Sequence, residues 1–197
     1  MPCRYLIALS LAASLLAACS SGEPEWNGHD IAGIMPDLTY ELTNETGETV
    51  TEAARADHPR LMFFGYTYCP DICPITLARI QAALKQLPEA QREAMRVLFV
   101  SVDPERDDPA RLREYTSGFG DQVIGLTGNQ KQLKALHKRF RVTYGYGEPD
   151  EDGFYLVSHS SAVFAFDRQG QARLLFNQDV TADQMAADLS RMLASAP

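Results

Sequence analysis

The sequence predicts a single α/β domain, and three observations carry that prediction. Two continuous apolar runs, Leu61-Met62-Phe63-Phe64 and Val97-Leu98-Phe99-Val100, have the character of strands covered on both faces. Between them Cys73, Leu77, Ile80, Leu84 and Leu87 recur at helical spacing until Pro88, so an amphipathic helix joins two buried strands. Late in the chain Val163 to Phe166 and Ala172 to Phe176 flank the turn Asp167-Arg168-Gln169-Gly170 and read as an antiparallel hairpin. Composition agrees: 197 residues, 45% hydrophobic and 22% charged, exclude collagen, disorder and a long coiled coil. A formal charge of -8 argues against nucleic-acid binding through a basic surface. The only long apolar run is at the N-terminus, which excludes a multi-span membrane protein.

That run belongs to targeting. Met1 to Arg4 is short and positive, Tyr5 to Ala18 is apolar, and small residues precede Cys19, the pattern of a signal peptide over residues 1–18. Leu16-Ala17-Ala18-Cys19 resembles the bacterial lipobox, which implies that the Cys19 thiol is diacylated and becomes the mature N-terminus. Two acyl chains give stable membrane anchoring. The expected location is the bacterial cell envelope, with the domain facing the periplasm. Residues 19–33 are polar and turn-rich, as in a flexible tether, and residues 34–197 form the domain.

The remaining elements follow in order. Asp37 to Thr43 and Glu48 to Thr51 flank an Asn/Gly turn and predict an N-terminal β-hairpin. Asp108-Pro109 supplies an N-cap and N1 proline for a second helix, whose inner face holds Leu112 and Tyr115. Thr127 with Gln130 resembles a capping box for a third helix carrying Leu133, Leu136 and Phe140. Thr181 with Gln184 does the same for a last helix carrying Met185, Leu189 and Met192. A βαβ unit that finishes in a hairpin and a C-terminal helix is the thioredoxin arrangement, here with an N-terminal hairpin and insertions.

Cys3 leaves with the signal peptide and Cys19 takes lipid, so Cys69 and Cys73 are the thiols of the domain. They fall in the turn after the first central strand, at the start of the first long helix. A disulfide closing so small a loop would constrain the unfolded chain little. If both were helical, their Cβ atoms would be about 5–6 Å apart, whereas a disulfide prefers about 3.8 Å. Metal–sulfur bonds of about 2.3 Å let the same spacing straddle one ion, so the geometry favours chelation without forbidding oxidation. Unpaired N–H groups and the helix dipole lower the thiol pKa at such a position. The apolar stripe makes Cys73 the more buried sulfur and Cys69 the more open one.

Two thiolates select soft ions, Cu(I) first, with zinc as the rival. Of four histidines, His29 lies in the tether, His58 precedes Pro59 in a polar turn, and His137 sits where a helix C-terminus favours imidazolium. His159 leads directly into the late hairpin, a connection that approaches the first helix N-terminus in a thioredoxin fold. It is the expected third ligand.

Phe64-Gly65-Tyr66-Thr67, Cys69-Pro70-Asp71-Ile72-Cys73-Pro74, Val102-Asp103-Pro104-Glu105-Arg106-Asp107-Asp108-Pro109 and His159-Ser160, in that order, resemble the Sco/SenC family of copper chaperones over about residues 34–195. The resemblance implies a thioredoxin-like fold that binds copper, as Cu(I) or Cu(II), through Cys69, Cys73 and His159. It implies participation in building the binuclear copper centre of cytochrome c oxidase. Its implied partners are the copper-bearing oxidase subunit, other copper chaperones and a thioredoxin-like reductase. Two positions depart from the family pattern: Tyr68 stands where His is common and Ser158 where Asp is common. Asp103, Glu105, Asp107 and Asp108 match an acidic loop that either faces a partner or serves capping and solvation. In Glu148-Pro149-Asp150-Glu151-Asp152-Gly153 a mobile, solvated loop would let His159 swing on and off the metal.

Two functions are open at this level. A binding protein would carry copper and pass it on through shared ligands. A thiol-disulfide oxidoreductase would attack a partner disulfide with Cys69 and resolve with Cys73, leaving His159 without a use. A peroxidase ranks last, because no arginine neighbours Cys69 in the sequence.

Overall fold

A computed structural model describes residues 25–195. The predicted signal peptide and Cys19 lie outside the described residues. Among those described, no helix is long and apolar enough to cross a membrane.

The strands are β1 (His29–Asp30), β2 (Glu41–Asn44), β3 (Thr49–Thr51), β4 (Arg60–Gly65), β5 (Arg96–Ser101), β6 (Val123–Thr127), β7 (Tyr144–Tyr146), β8 (Val157–His159), β9 (Val163–Phe166) and β10 (Ala172–Phe176). The helices are α1 (Ile72–Leu84), α2 (Glu89–Ala94), α3 (Pro109–Ser117), α4 (Gln130–Arg139) and α5 (Ala182–Ser195). Eight strands form one sheet in the order β1-β10-β9-β4-β5-β6-β2-β3, and β7 pairs with β8 in a separate ribbon. β4, β5 and β6 run parallel, while β9 returns antiparallel to β4 in register Met62 with Phe164. This is the thioredoxin-like α/β arrangement the sequence predicts, with β2 and β3 as the added hairpin.

The two apolar runs fall in the middle of the sheet. Every residue of β4 is buried, and in β5 only Arg96 is not. Burying a leucine- or phenylalanine-sized side chain is worth about 1.5–3 kcal/mol, so β4 and β5 are the rigid base on which the following loop is carried. Helix α1 buries Cys73, Leu77, Ile80 and Leu84 and packs against α5, which buries Met185, Leu189 and Met192.

Two local expectations need correction. The capping box of α4 is Asn129 with Gln132, each bonding the other's backbone N–H at 3.0 Å; the Thr127–Gln130 pair is not used, because β6 extends through Thr127. The Thr181–Gln184 box of α5 is formed. Residues 26–31, placed by sequence in the tether, lie against the domain instead. Asn27 and the Gly28 N–H donate to the buried Asp188 of α5, Trp26 stacks under Arg191, and β1 pairs with β10. Two isolated residues of strand pairing carry no periodicity that a sequence could show.

Candidate metal centre

The site is built on the loop from β4 to α1. Gly65 ends β4 against the first turn of α1: a Cβ there would come within 2.7 Å of both Cys73 Sγ and the Phe99 ring, so glycine lets the sulfur press onto the strand. Thr67 is tied down by the buried Asp107, which accepts from the Thr67 N–H at 3.2 Å, the Thr67 hydroxyl at 2.7 Å and the Ser101 hydroxyl at 2.7 Å. Burial pushes the Asp107 carboxyl above the usual carboxylate range, and these bonds act the other way.

Cys69 precedes the helix rather than lying in it. Asp71 is the residue at the helix start, and its side chain makes no capping bond. Cys69 Sγ takes that place by accepting from the Cys73 N–H at 3.4 Å. The Cys73 thiol donates to Cys69, and with further help from His159 and the backbone N–H groups of Cys73 and Asp71 lowers the Cys69 pKa to about 3, against the opposing effect of burial. The same thiol contact and its own burial push Cys73 up. Cys69 is partly exposed and Cys73 is buried, as the apolar stripe predicts.

His159 closes the group. Its Nε2 lies 3.4 Å from Cys73 Sγ, and its Nδ1 donates to the Ser160 carbonyl at 3.0 Å. A carbonyl oxygen can only accept, so Nδ1 carries a proton, and Nε2 is the ring atom that faces the sulfurs. Tyr66 sets the approach from below: its ring meets His159 edge-on at 5.7 Å, and its hydroxyl accepts from the Val157 N–H at 3.2 Å. One ligand atom each from Cys69, Cys73 and His159 lie within 4.8 Å of one another. Donors bound at about 2.0–2.3 Å to a shared ion are about 3.5–4.5 Å apart, so the three close on a soft metal with little movement. An open cleft of about 480 Å³, lined by Thr143, Ser158, Ser160 and Ser161, gives solvent access to His159.

The other histidines are placed elsewhere. His29 lies on edge strand β1 beside Asn177, and His58 donates to the Ala94 carbonyl at 2.7 Å. His137 is not the helix-end imidazolium suggested by its position. It is 3% exposed, both ring nitrogens lack hydrogen-bond partners, and burial lowers its pKa to about 4, so it is a neutral ring packed between Phe64 and Tyr144.

The acidic loop divides in two: Glu105 and Asp108 are exposed, whereas the other two carboxylates turn inward. Asp103 and Asp107 are fully buried, and Asp108 caps α3 by accepting from the Arg111 N–H at 2.7 Å. Arginines absent from the local sequence are close in space, since Arg106 and Arg111 lie 5.0 and 4.9 Å from the Tyr68 ring centroid, beside Cys69. The Glu148–Gly153 loop is the tip of the β7–β8 hairpin, where Asp150 accepts from the N–H groups of Asp152 and Phe154. Gly65, Tyr66, Arg106 and Asp107 all fall within the quoted motifs, yet their tasks depend in part on partners from other segments of the chain or on close backbone approach.

The sequence profile of the family described as SCO1/SenC matches residues 35–194. A Rickettsia prowazekii protein named SCO2-like is 35% identical over 147 residues, covering 74% of this chain and 71% of its own. The mouse mitochondrial SCO2 homologue is 35% identical over 157 residues, but these make up 79% of this chain and only 62% of the mouse protein. The chain thus spans less than two thirds of that longer relative. Among solved structures, Bradyrhizobium japonicum ScoI with copper bound superposes with a TM-score of 0.71 at 35% identity, covering 80% of this chain and 99% of that one.

Proposed function

Because the chain belongs to the SCO1/SenC family, we propose that it is a copper-binding chaperone whose ligands are Cys69, Cys73 and His159. The observation that carries this reading is the convergence of two sulfurs and one imidazole nitrogen within 4.8 Å. Copper is the cargo. The two sulfurs suit Cu(I), and the added nitrogen accommodates Cu(II). Three protein donors at a partly exposed turn leave one side of the ion open, so a partner's cysteine can enter as a chain ligand leaves. The recipient is the copper-bearing subunit of cytochrome c oxidase, the protein acts from the cell envelope through a lipidated Cys19, and it draws on other copper chaperones or a thioredoxin-like reductase.

The split acidity of the thiols favours a second reading, reduction of a partner's disulfide. The Cys69 thiolate attacks one partner sulfur, the partner S–S bond breaks, and the leaving thiolate takes a proton. Cys73 then loses its proton, attacks Cys69 and releases the second partner thiol, so the partner gains two electrons and this protein ends as the Cys69–Cys73 disulfide. His159→Ala separates the two. Lost copper delivery with intact disulfide reduction supports the chaperone; assembly of the partner's copper site that survives in the variant, along with disulfide reduction, supports the oxidoreductase.

A further inference from the structure

The strand that carries His159 belongs to the β7–β8 ribbon, which shares no backbone ladder with the main sheet. Its position over the cysteines is therefore held by side chains. Val157 N–H donates to Tyr66 Oη at 3.2 Å, Tyr146 Oη donates to the Val102 carbonyl at 2.7 Å, and Tyr155 Oη donates to Asp103 Oδ1 at 2.9 Å. At the centre of these ties is Arg106. Its Nε bonds Asp103 Oδ2 at 2.5 Å, and its guanidinium carbon lies 3.6 Å from the Tyr155 ring centroid. The same carbon is 5.0 Å from the Tyr68 centroid, 5.6 Å from Tyr66 and 5.7 Å from Phe154. Arg106 thus touches the cysteine loop through Tyr66 and Tyr68, and the histidine ribbon through Phe154 and Tyr155. Asp103, itself fully buried, anchors it to the loop after β5.

Arg106 Nη2 is buried without a hydrogen-bond partner. An unsatisfied buried donor costs stability, and an apolar side chain filling that space would avoid it. What a planar cation adds is simultaneous orientation of several ring faces and one carboxylate.

We propose that Arg106, braced by Asp103 and stacked on Tyr155, is a positioning residue that clamps the β7–β8 ribbon to the cysteine loop and so sets His159 Nε2 against the sulfurs. The proposal rests on His159 being a copper ligand. It assigns a further residue, outside the ligand set, to nitrogen coordination, leaving the two-sulfur site independent of the clamp.

The test compares Arg106→Ala, Arg106→Lys, Tyr155→Leu, the Arg106→Ala/Tyr155→Leu double variant and His159→Ala. Cu(II) and Cu(I) affinities are read by chelator competition, and amide hydrogen exchange is read in the metal-free protein. Loss of an outer contact to a metal-ligating histidine lowers affinity about 10–100-fold. Each single clamp variant should weaken Cu(II) by about that factor. Cu(I) binding through the cysteines should stay within about threefold of wild type, which also reports an intact fold. Arg106→Lys keeps the charge but not the flat stack, so it should behave as Arg106→Ala does. The double variant should be no worse than either single one, since both residues belong to one device. The Val157 amide should exchange about tenfold faster in each clamp variant without metal. Should Arg106→Ala fail to fold, Arg106→Lys and Tyr155→Leu carry the same comparison. Wild-type Cu(II) affinity in the clamp variants, with His159→Ala weakened, overturns the clamp alone. Wild-type affinity in His159→Ala removes the ligand assignment and the clamp with it.

Discussion

Nε2 of His159 stands 3.4 Å from Sγ of Cys73 across 86 positions of sequence. One partner is fixed by α1 on a fully buried strand; the other sits on a ribbon held by tyrosines and Arg106. The sulfurs are thus set by the main sheet and α1, and the imidazole by the ribbon.

Cys69 is a thiolate at neutral pH. With its pKa lowered to about 3, alkylation by iodoacetamide in the metal-free protein should be nearly constant from about pH 5 to pH 8. An ordinary cysteine with pKa near 8.5 would speed up about tenfold per unit there. Mass-spectrometric mapping should place the label on Cys69, because Cys73 is buried and its pKa is raised. Equal labelling of both residues, or a steep pH profile at Cys69, would contradict the thiolate.

Gly65→Ala puts a methyl 2.7 Å from both Cys73 Sγ and the Phe99 ring. The sulfur is on a helix backed by α5 and the ring is in the core, so neither yields freely. The cost should be about 1–3 kcal/mol of unfolding free energy, read by chemical denaturation, together with weaker Cu(I) binding.

Asp107→Ala leaves the Thr67 N–H and the Thr67 and Ser101 hydroxyls without their acceptor. Each unsatisfied buried donor costs about 1–3 kcal/mol, so the variant should be destabilised by about 3 kcal/mol or more, and the loop carrying Cys69 should gain hydrogen exchange. A stable variant with unchanged exchange would show that the carboxylate does not hold the loop.

His137 makes the fold sensitive to acid. Its folded pKa is lowered to about 4 from the ordinary 6.5, so the unfolded chain binds the extra proton first as pH falls. Stability contributed by the neutral ring is complete above about 6.5 and declines toward pH 4. His137→Phe, which also removes two unpartnered nitrogens, should flatten that part of the stability profile in urea melts at several pH values.

The sequence shows most where one short segment carries its own reason. The buried strands β4 and β5, the α1 stripe and the hairpin of β9 and β10 are all legible from periodicity, and the relative burial of Cys69 and Cys73 follows from the stripe. His159 was legible through the expected path of the chain into β9. The capping of α4 shifted by two residues because nothing local marks where β6 ends. Asp103 and Asp107 read as surface charge because their partners, Tyr155, Arg106, Thr67 and Ser101, come from several separate segments. The contact of Arg106 with Tyr68 and Tyr155 and the docking of Trp26 on Arg191 likewise exist only after folding.

X-ray absorption at the copper edge, on the copper-loaded protein and on His159→Ala, bears most directly on the site. Two sulfurs at about 2.3 Å and one nitrogen at about 2.0 Å, with the nitrogen shell alone vanishing in the variant, is the outcome these contacts require. An unchanged spectrum after the imidazole is removed would show that copper never engages the ribbon and would take His159 out of the ligand set.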